Sequence, residues 1–238
     1  MSIPHIWLRA ETKPQEQRTP LTPAGAGSLS DAGFNVTVED CTQRIFPIDN
    51  YRTLGCDIAE SGTWTNAPRD TFILGLKELP EDTFPLVHRH IYFAHVYKDQ
   101  AGADATLRRF VQGGGSLYDL EFLTHENGRR VAAFGYWAGF CGAALGVMAW
   151  ANKKAGDPQP LESLESRPSK DALLEDVSAS LARTTSRPVV MVIGAKGRSG
   201  SGAVEMARSL GLETVEWDLE ETQGGGPFEE INRADIFV

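Results

Sequence analysis

The stretch PVVMVIGAKGRSGSGAVEMARSLGLETVEWD (188–218) contains, in order, a continuous apolar run, a glycine-rich turn, a helical pattern and a second strand-like run closed by an acid. VVMVI does not alternate with polar residues, as expected for a strand covered on both faces in a parallel sheet. Glycines stand at 194, 197, 200 and 202. A tight glycine turn brings backbone N–H groups close to a pyrophosphate, and the helix that follows adds partial positive charge from its N-terminus. Asp218 ends the next run, ~20 residues beyond the loop, where a carboxylate accepts hydrogen bonds from a ribose diol. A carboxylate there repels a 2′-phosphate, so NAD is expected rather than NADP. The spacing is G-x-x-G-x-x-G instead of G-x-G-x-x-G. The reading therefore rests on the whole succession of strand, loop, helix, strand and acid. Arg198, inside the loop, is a candidate phosphate ligand, with a solvated arginine as the plain alternative.

The same alternation runs through the rest of the chain and predicts an α/β fold. Strands are expected at HIWLR (5–9), FNVTVED (34–40), FILGL (72–76), IYFAHVY (91–97) and SLYDLEFL (116–123). Helices are expected from Pro23 to about Gly33, with Thr22 as cap, and over 49–55, 104–112 and 170–184. WAGFCGAALGVMAWANKK (137–154) carries small and large apolar residues at helical spacing, and its glycines suggest close contact with a neighbouring element. A proline-bearing polar stretch, 155–169, connects it onward. The expected division is a first α/β domain over 1–135 and a nucleotide-binding domain over 136–238, with a cleft between them.

The 238 residues carry a formal charge of -9. That balance argues against nucleic acid or an anionic membrane as the main partner, since both need clustered positive charge. The apolar segment 136–150 is shorter than the roughly 20 residues a bilayer span needs. Cys41, Cys56 and Cys141 match no zinc spacing and suit a reducing compartment, so a cytoplasmic protein is expected. His88 and His90 form an H-x-H without a third ligand in view, and no metal is expected.

The front of the chain adds a sharper signal. RAETKPQEQRTPLTP (9–23) has a Lys-x-x-Glu-x-Arg core followed by Leu-Thr-Pro, and it resembles the N-terminal motif of the alanine dehydrogenase, transhydrogenase and lysine-forming saccharopine dehydrogenase superfamily. GLKELP (75–80), FAHVYKDQAG (93–102) and LYDLEFLTHENGRRVAAFGYWAGFCGAALG (117–146) resemble the fungal saccharopine dehydrogenases specifically. So do GAKGRSGSGA (194–203) and WDLEETQGGGPFEEI (217–231). The resemblance covers essentially the whole chain. It implies two Rossmann-like domains and oxidation of saccharopine by NAD to L-lysine and 2-oxoglutarate, the last step of the α-aminoadipate route of lysine biosynthesis. For the full-length protein it implies a monomer.

The resemblance also assigns residues. Lys77 and His95 match the acid–base pair. Lys77 follows a buried strand, where burial or nearby cations favour a neutral amine that can take the proton of a secondary amine. The imidazole of His95 suits proton exchange with water during imine hydrolysis. Arg18 and Arg130 match substrate arginines, fitted to a molecule with three carboxylates. Gln100 and Phe134 match further substrate contacts. Arg129, Gly197, Arg198, Asp218 and Thr222 match cofactor contacts. Lys13, Glu16 and Lys98 lie in the same motifs, either tuning charge around Lys77 or simply solvated.

Family members continue for more than a hundred residues past RADIFV (233–238), so the second domain is expected to be incomplete and the 238-residue product weak or inactive as a dehydrogenase. Two other readings stay open: an alanine-dehydrogenase-like enzyme, and a non-catalytic remnant that binds nucleotide.

Overall fold

The computed structural model describes residues 3–98, 101–157, 161 and 165–238. The chain divides into two compact units, Met1–Ala133 and Phe134–Val238. Both are α/β with parallel sheets, as the alternating pattern predicts.

The first unit is built on β1 (His5–Leu8), β2 (Asn35–Glu39), β3 (Asp57–Ala59), β4 (Phe72–Leu74), β5 (Arg89–Tyr92) and β6 (Ser116–Asp119). They form one sheet in the order β3-β2-β1-β4-β5-β6, and every pairing is parallel. The order reverses between β1 and β4, so the crevice outside the carboxyl ends of these strands is the natural place for a ligand. The linking helices are α1 (Pro23–Asp31), α2 (Ile48–Arg52) and α3 (Ala103–Gly113). Thr22 caps α1 through its side chain, which accepts from the Gly25 N–H at 3.2 Å. One apolar cluster gathers Leu8, Val36, Val38 and Tyr51, and a second gathers Trp64, Ile73, Leu86, Tyr92 and Phe110.

Two expected strands are shorter than their apolar patterns. β5 ends at Tyr92, so His95 lies beyond the strand, in a left-handed backbone conformation with φ 55°. β6 ends at Asp119, and a 3-10 turn covers Leu120–Phe122. A carboxylate causes both departures. Asp119 accepts from the backbone N–H groups of Ala94, His95 and Glu121, at 3.3, 3.0 and 3.0 Å, and so bends both chains out of the ladder. Edge strand β3 has no clear period and was not expected. It is anchored by Glu39, which is fully buried and accepts from the Trp7 indole and from the backbone N–H groups of Ala10, Gly62 and Trp64 at 2.7–3.1 Å.

The second unit carries α4 (Gly135–Lys154), α5 (Lys170–Ala182), β7 (Val189–Ile193), α6 (Arg198–Ser209), β8 (Glu213–Trp217), α7 (Leu219–Thr222) and β9 (Ile236–Phe237). Its parallel sheet has the order β8-β7-β9. Residues of α4, α5, α6 and β7 share one core around Phe140, Val147, Val177, Val190 and Met206. The four-residue α7 was not expected. Asp218 caps it in a reciprocal box with Glu221.

His88 and His90 have structural surroundings. His88 Nε2 lies 2.9 Å from the Ala67 carbonyl oxygen. His90 is wholly buried, edge-on to Trp64, Tyr92 and Phe110, and neither ring nitrogen has a partner among the described residues. Burial, reinforced by the positive groups His88, Arg9 and Arg109, pushes its pKa down to about 3. An unfolded histidine titrates near 6.5, so the unfolded chain takes up this proton first. Stability is fully present above pH ~6.5 and is lost on acidification towards pH 3, with a slope of up to about 1.4 kcal/mol per pH unit. His90→Phe is expected to flatten that acid limb, measured as urea midpoints between pH 7.5 and 5. An unchanged limb would show that His90 is not its origin.

Candidate functional site

At the carboxyl ends of β1, β4, β5 and β6 the first unit gathers a chain of alternating charges. Lys77 follows β4 by three residues. Its peptide N–H donates to Glu11 Oε2 at 3.0 Å, and that of Leu76 donates to Glu11 Oε1 at 2.7 Å. The wholly buried Arg9 guanidinium donates to the Lys77 carbonyl and pairs with Glu11 at 3.7 Å. Gly75 is required here, because an added Cβ would overlap that guanidinium. The backbone of Lys77 is thus held on both its N–H and C=O sides by buried charge.

The Lys77 side chain keeps 23% of its surface exposed, and Nζ lies 4.0 Å from Glu16 Oε2. Its closest charged partner is a carboxylate, not the cation that sequence reasoning allowed for. Glu16 also holds Arg18 through a fork, Nε at 2.7 Å and Nη2 at 2.6 Å. Burial works to raise the Glu16 pKa, but the Arg18 hydrogen bonds and the Arg18 and Lys77 charges outweigh it and hold the carboxyl below its ordinary value. Gln15, next to Glu16, has a left-handed backbone with φ 65°. The turn over Lys13–Glu16 therefore carries strain of a kind often kept where geometry matters.

His95 sits between two carboxylates, Nδ1 at 3.3 Å from Glu78 Oε1 and Nε2 at 3.5 Å from Glu121 Oε2. Glu121 also accepts from Lys98 Nζ at 2.6 Å and Arg130 Nη2 at 2.8 Å. These cations, the Lys98 hydrogen bond foremost, hold the Glu121 carboxyl low against the opposing effect of burial. Glu78 is held low as well. Burial raises it, and a backbone hydrogen bond, His95, Lys13 and Lys77 together prevail. Glu78 is therefore within electrostatic reach of both Lys77 and His95. The two residues also leave adjacent strands at the same end, joined by the Phe93 N–H to Leu76 C=O bond of 3.2 Å.

Arg130 belongs to the His95 group, and Arg18 to the Lys77 group. Arg129 is exposed and lies in a turn, its N–H bonded to Asn127 Oδ1 at 3.0 Å. Gln100 lies outside the described residues. Phe134 is the half-exposed residue that precedes α4 in the second unit.

In the second unit, Gly194 has φ 78° and opens the loop; Gly197 is the N-cap of α6, with no side chain capping the helix. Added Cβ atoms at Gly200, Gly202 and Gly139 would overlap the carbonyl oxygens of Gly194, Tyr136 and Ser199. These glycines let loop, α4 and α6 touch backbone to backbone. The uncapped first turn of α6 has the donors and dipole that suit a phosphate. Asp218, at the end of β8, accepts from Lys196 N at 2.8 Å and Leu219 N at 2.9 Å, and these bonds lower its pKa. Thr222 Oγ1 donates to the Asp218 carbonyl at 2.9 Å. Asp218, Thr222, Gly197 and Arg198 thus share one end of the β7–β8 sheet.

Sequence reasoning missed Glu11, Glu78, Asp119 and Glu121. A faint signal existed, since each follows or closes an apolar strand, where free N–H groups need acceptors. Gly139→Ala is expected to destabilise the second unit by at least about 2 kcal/mol. Hydrogen exchange should show amides of 135–154 and 198–209 losing protection while those of β1 and β4 keep theirs.

Residues 7–141 match the family model for the alanine dehydrogenase/PNT N-terminal domain. The chain is 50% identical over 242 residues to the saccharopine dehydrogenase [NAD(+), L-lysine-forming] of Candida glabrata, covering 98% of this chain and 65% of that protein. It is 46% identical to the protein of the same name from Schizosaccharomyces pombe, covering 100% of this chain and 67% of that one. Among solved structures, the transhydrogenase from Sinorhizobium meliloti superposes with a TM-score of 0.56 at 18% identity, covering 92% of this chain and 59% of its own. The chain thus spans about 65% of the length of the curated relatives it matches. It belongs to the alanine dehydrogenase/PNT family and, within it, to the lysine-forming saccharopine dehydrogenases.

Proposed function

We propose that this chain carries the acid–base and dinucleotide-binding residues of an NAD-dependent saccharopine dehydrogenase, which oxidises saccharopine and releases L-lysine and 2-oxoglutarate. The observation that carries the reading is the pair of charge groups at the ends of neighbouring strands, Lys77–Glu16–Arg18 and His95–Glu121–Arg130. It is supported by relatives of that name at 46–51% identity.

The second unit fits a dinucleotide. It has the uncapped start of α6, the glycines that keep side chains out of the loop, and Asp218 at the neighbouring strand end. NAD+, when bound, supplies the hydride acceptor for the substrate's glutarate α-carbon.

Lys77 takes the proton of the secondary amine, freeing the lone pair that expels hydride. The Glu16 carboxylate beside it stabilises the ammonium that forms, and Arg18 keeps Glu16 ionised. His95 then relays a proton between water and the departing amine as the imine is hydrolysed. Contact with carboxylates on both ring nitrogens lets it carry positive charge in transit. Arg18 and Arg130 present guanidinium groups to substrate carboxylates. Gln100 and Phe134 add substrate contacts, while Arg129, Gly197, Arg198, Asp218 and Thr222 hold the nucleotide. Among the described residues no helix is long and apolar enough to cross a membrane.

Titration calorimetry on the 238-residue chain tests the reading. Saccharopine and NAD+ are each expected to bind. Arg130→Met should weaken saccharopine at least ~tenfold and leave NAD+ alone, and Asp218→Ala should do the reverse; about 1.4 kcal/mol corresponds to each tenfold change. NADH formation, followed at 340 nm, is expected to be low with saccharopine, lower still in Lys77→Met, and absent with L-alanine. L-Alanine turnover, or saccharopine affinity indifferent to Arg130, would refute the proposal.

A further inference from the structure

A cavity of about 600 Å³ opens in the first unit between the loop 78–83 and the first turns of α3. Lys77, His95, Arg18 and Arg130 are not among the residues lining it. Its deepest polar groups are Tyr92 and Arg109, exposed by 1% and 4%. Arg109 donates through Nε to the Phe84 carbonyl at 3.0 Å and through Nη1 to the Pro80 carbonyl at 3.2 Å, and its guanidinium lies 4.5 Å from the Phe84 ring centroid. Its Nη2 and the Tyr92 hydroxyl have no hydrogen-bond partner among the described residues, and the two groups are within electrostatic reach of each other. Asp82 lies within electrostatic reach of Arg109 but forms no direct ion pair with it among the described residues, so the buried Nη2 is left without an acceptor. A buried donor and a buried hydroxyl without partners are costly. One carboxylate placed against both would satisfy them together.

The mouth has the opposite character. Glu78 is half-exposed, and Glu81 and Asp82 are exposed. Among the described lining residues, three carboxylates thus face one guanidinium. A dianion is disfavoured in such a cavity, and a ligand with one carboxylate and a surplus of positive charge is favoured. The volume falls within the ~300–1,000 Å³ usual for small-molecule sites. We infer that this cavity binds a basic α-amino acid, with its carboxylate on Arg109 and Tyr92 and its ammonium groups towards Glu78, Glu81 and Asp82. The inference does not rest on the proposed reaction.

The test is a titration of the ¹⁵N-labelled chain followed by amide NMR, with L-lysine as probe. Two truncated probes accompany it: L-norleucine, which lacks the distal ammonium, and 1,5-diaminopentane, which lacks the carboxylate. L-Lysine is expected to shift amides of 80–84 and 101–109 saturably, with both truncated probes at least ~tenfold weaker. Tyr92→Phe removes one oxygen and should cost at least ~fivefold in affinity at these amides. Arg109→Met should abolish it. Because Arg109 also pins the 80–84 loop, the Tyr92→Phe result stands as the decisive one if that variant fails to fold. Equal binding of either truncated probe, indifference to Tyr92→Phe, or L-lysine shifts confined to the surroundings of Lys77 would overturn the inference. Shifts around Lys77 report on the proposed reaction site, so the two readings fail independently.

Discussion

Where a parallel strand ends and the chain turns away, its last peptide N–H groups lose their ladder partners, yet they are too buried to find water. The first unit meets this constraint with carboxylates. Glu11 takes the N–H groups of Leu76 and Lys77, Asp119 those of Ala94 and His95, and Glu39 those of Ala10, Gly62 and Trp64. A charged acceptor makes these bonds stronger than a neutral one. Arg9 supplies the countercharge for Glu11. Strand termini that would otherwise fray are fixed in this way, and the two residues proposed for proton transfer hang from them.

The second unit meets a different constraint with glycine. Its loop, α4 and α6 approach so closely that side chains at Gly139, Gly200 and Gly202 have no room. The first turn of α6 carries no side-chain cap, so its N–H groups remain available to an anion. Asp218 works in two directions, holding the Lys196 N–H of the loop and capping α7, so it ties the loop to the strand end.

The fold class was legible because periodicity is a local property. The apolar run of β7, the helical spacing of α4 and the Thr22-Pro23 start of α1 are each decided within a few residues. The ends of β5 and β6 were not legible. The apolar pattern 91–97 continues past Tyr92, and what stops the strand is Asp119, 24 residues away from His95. The Glu11 contact with Lys77 spans 66 residues. Such pairings leave no mark on local composition. The same holds for the proposed site. Spacing alone could not raise Lys77 above an ordinary strand-end lysine, and only the motif resemblance singled it out. Glu78 and Glu121 escaped even that, since an acid beside a histidine in space need not be near it in sequence.

The charge order of the site constrains how any anionic substrate enters it. Arg18 is already forked onto Glu16, and Arg130 and Lys98 already share Glu121. On the proposed reading, a substrate carboxylate meets guanidinium groups whose charge is partly spent, and binding exchanges one ion pair for another instead of neutralising a bare cation. Such an exchange yields less affinity than a free arginine would, but it avoids the desolvation cost of an unpaired charge in the empty site. It also ties binding to proton chemistry. Drawing Arg130 away from Glu121 leaves that carboxylate more negative towards His95 Nε2, and drawing Arg18 from Glu16 does the same towards Lys77. In the proposed reaction both changes would stabilise the positive charge that forms on Lys77 and His95 as each takes up a proton.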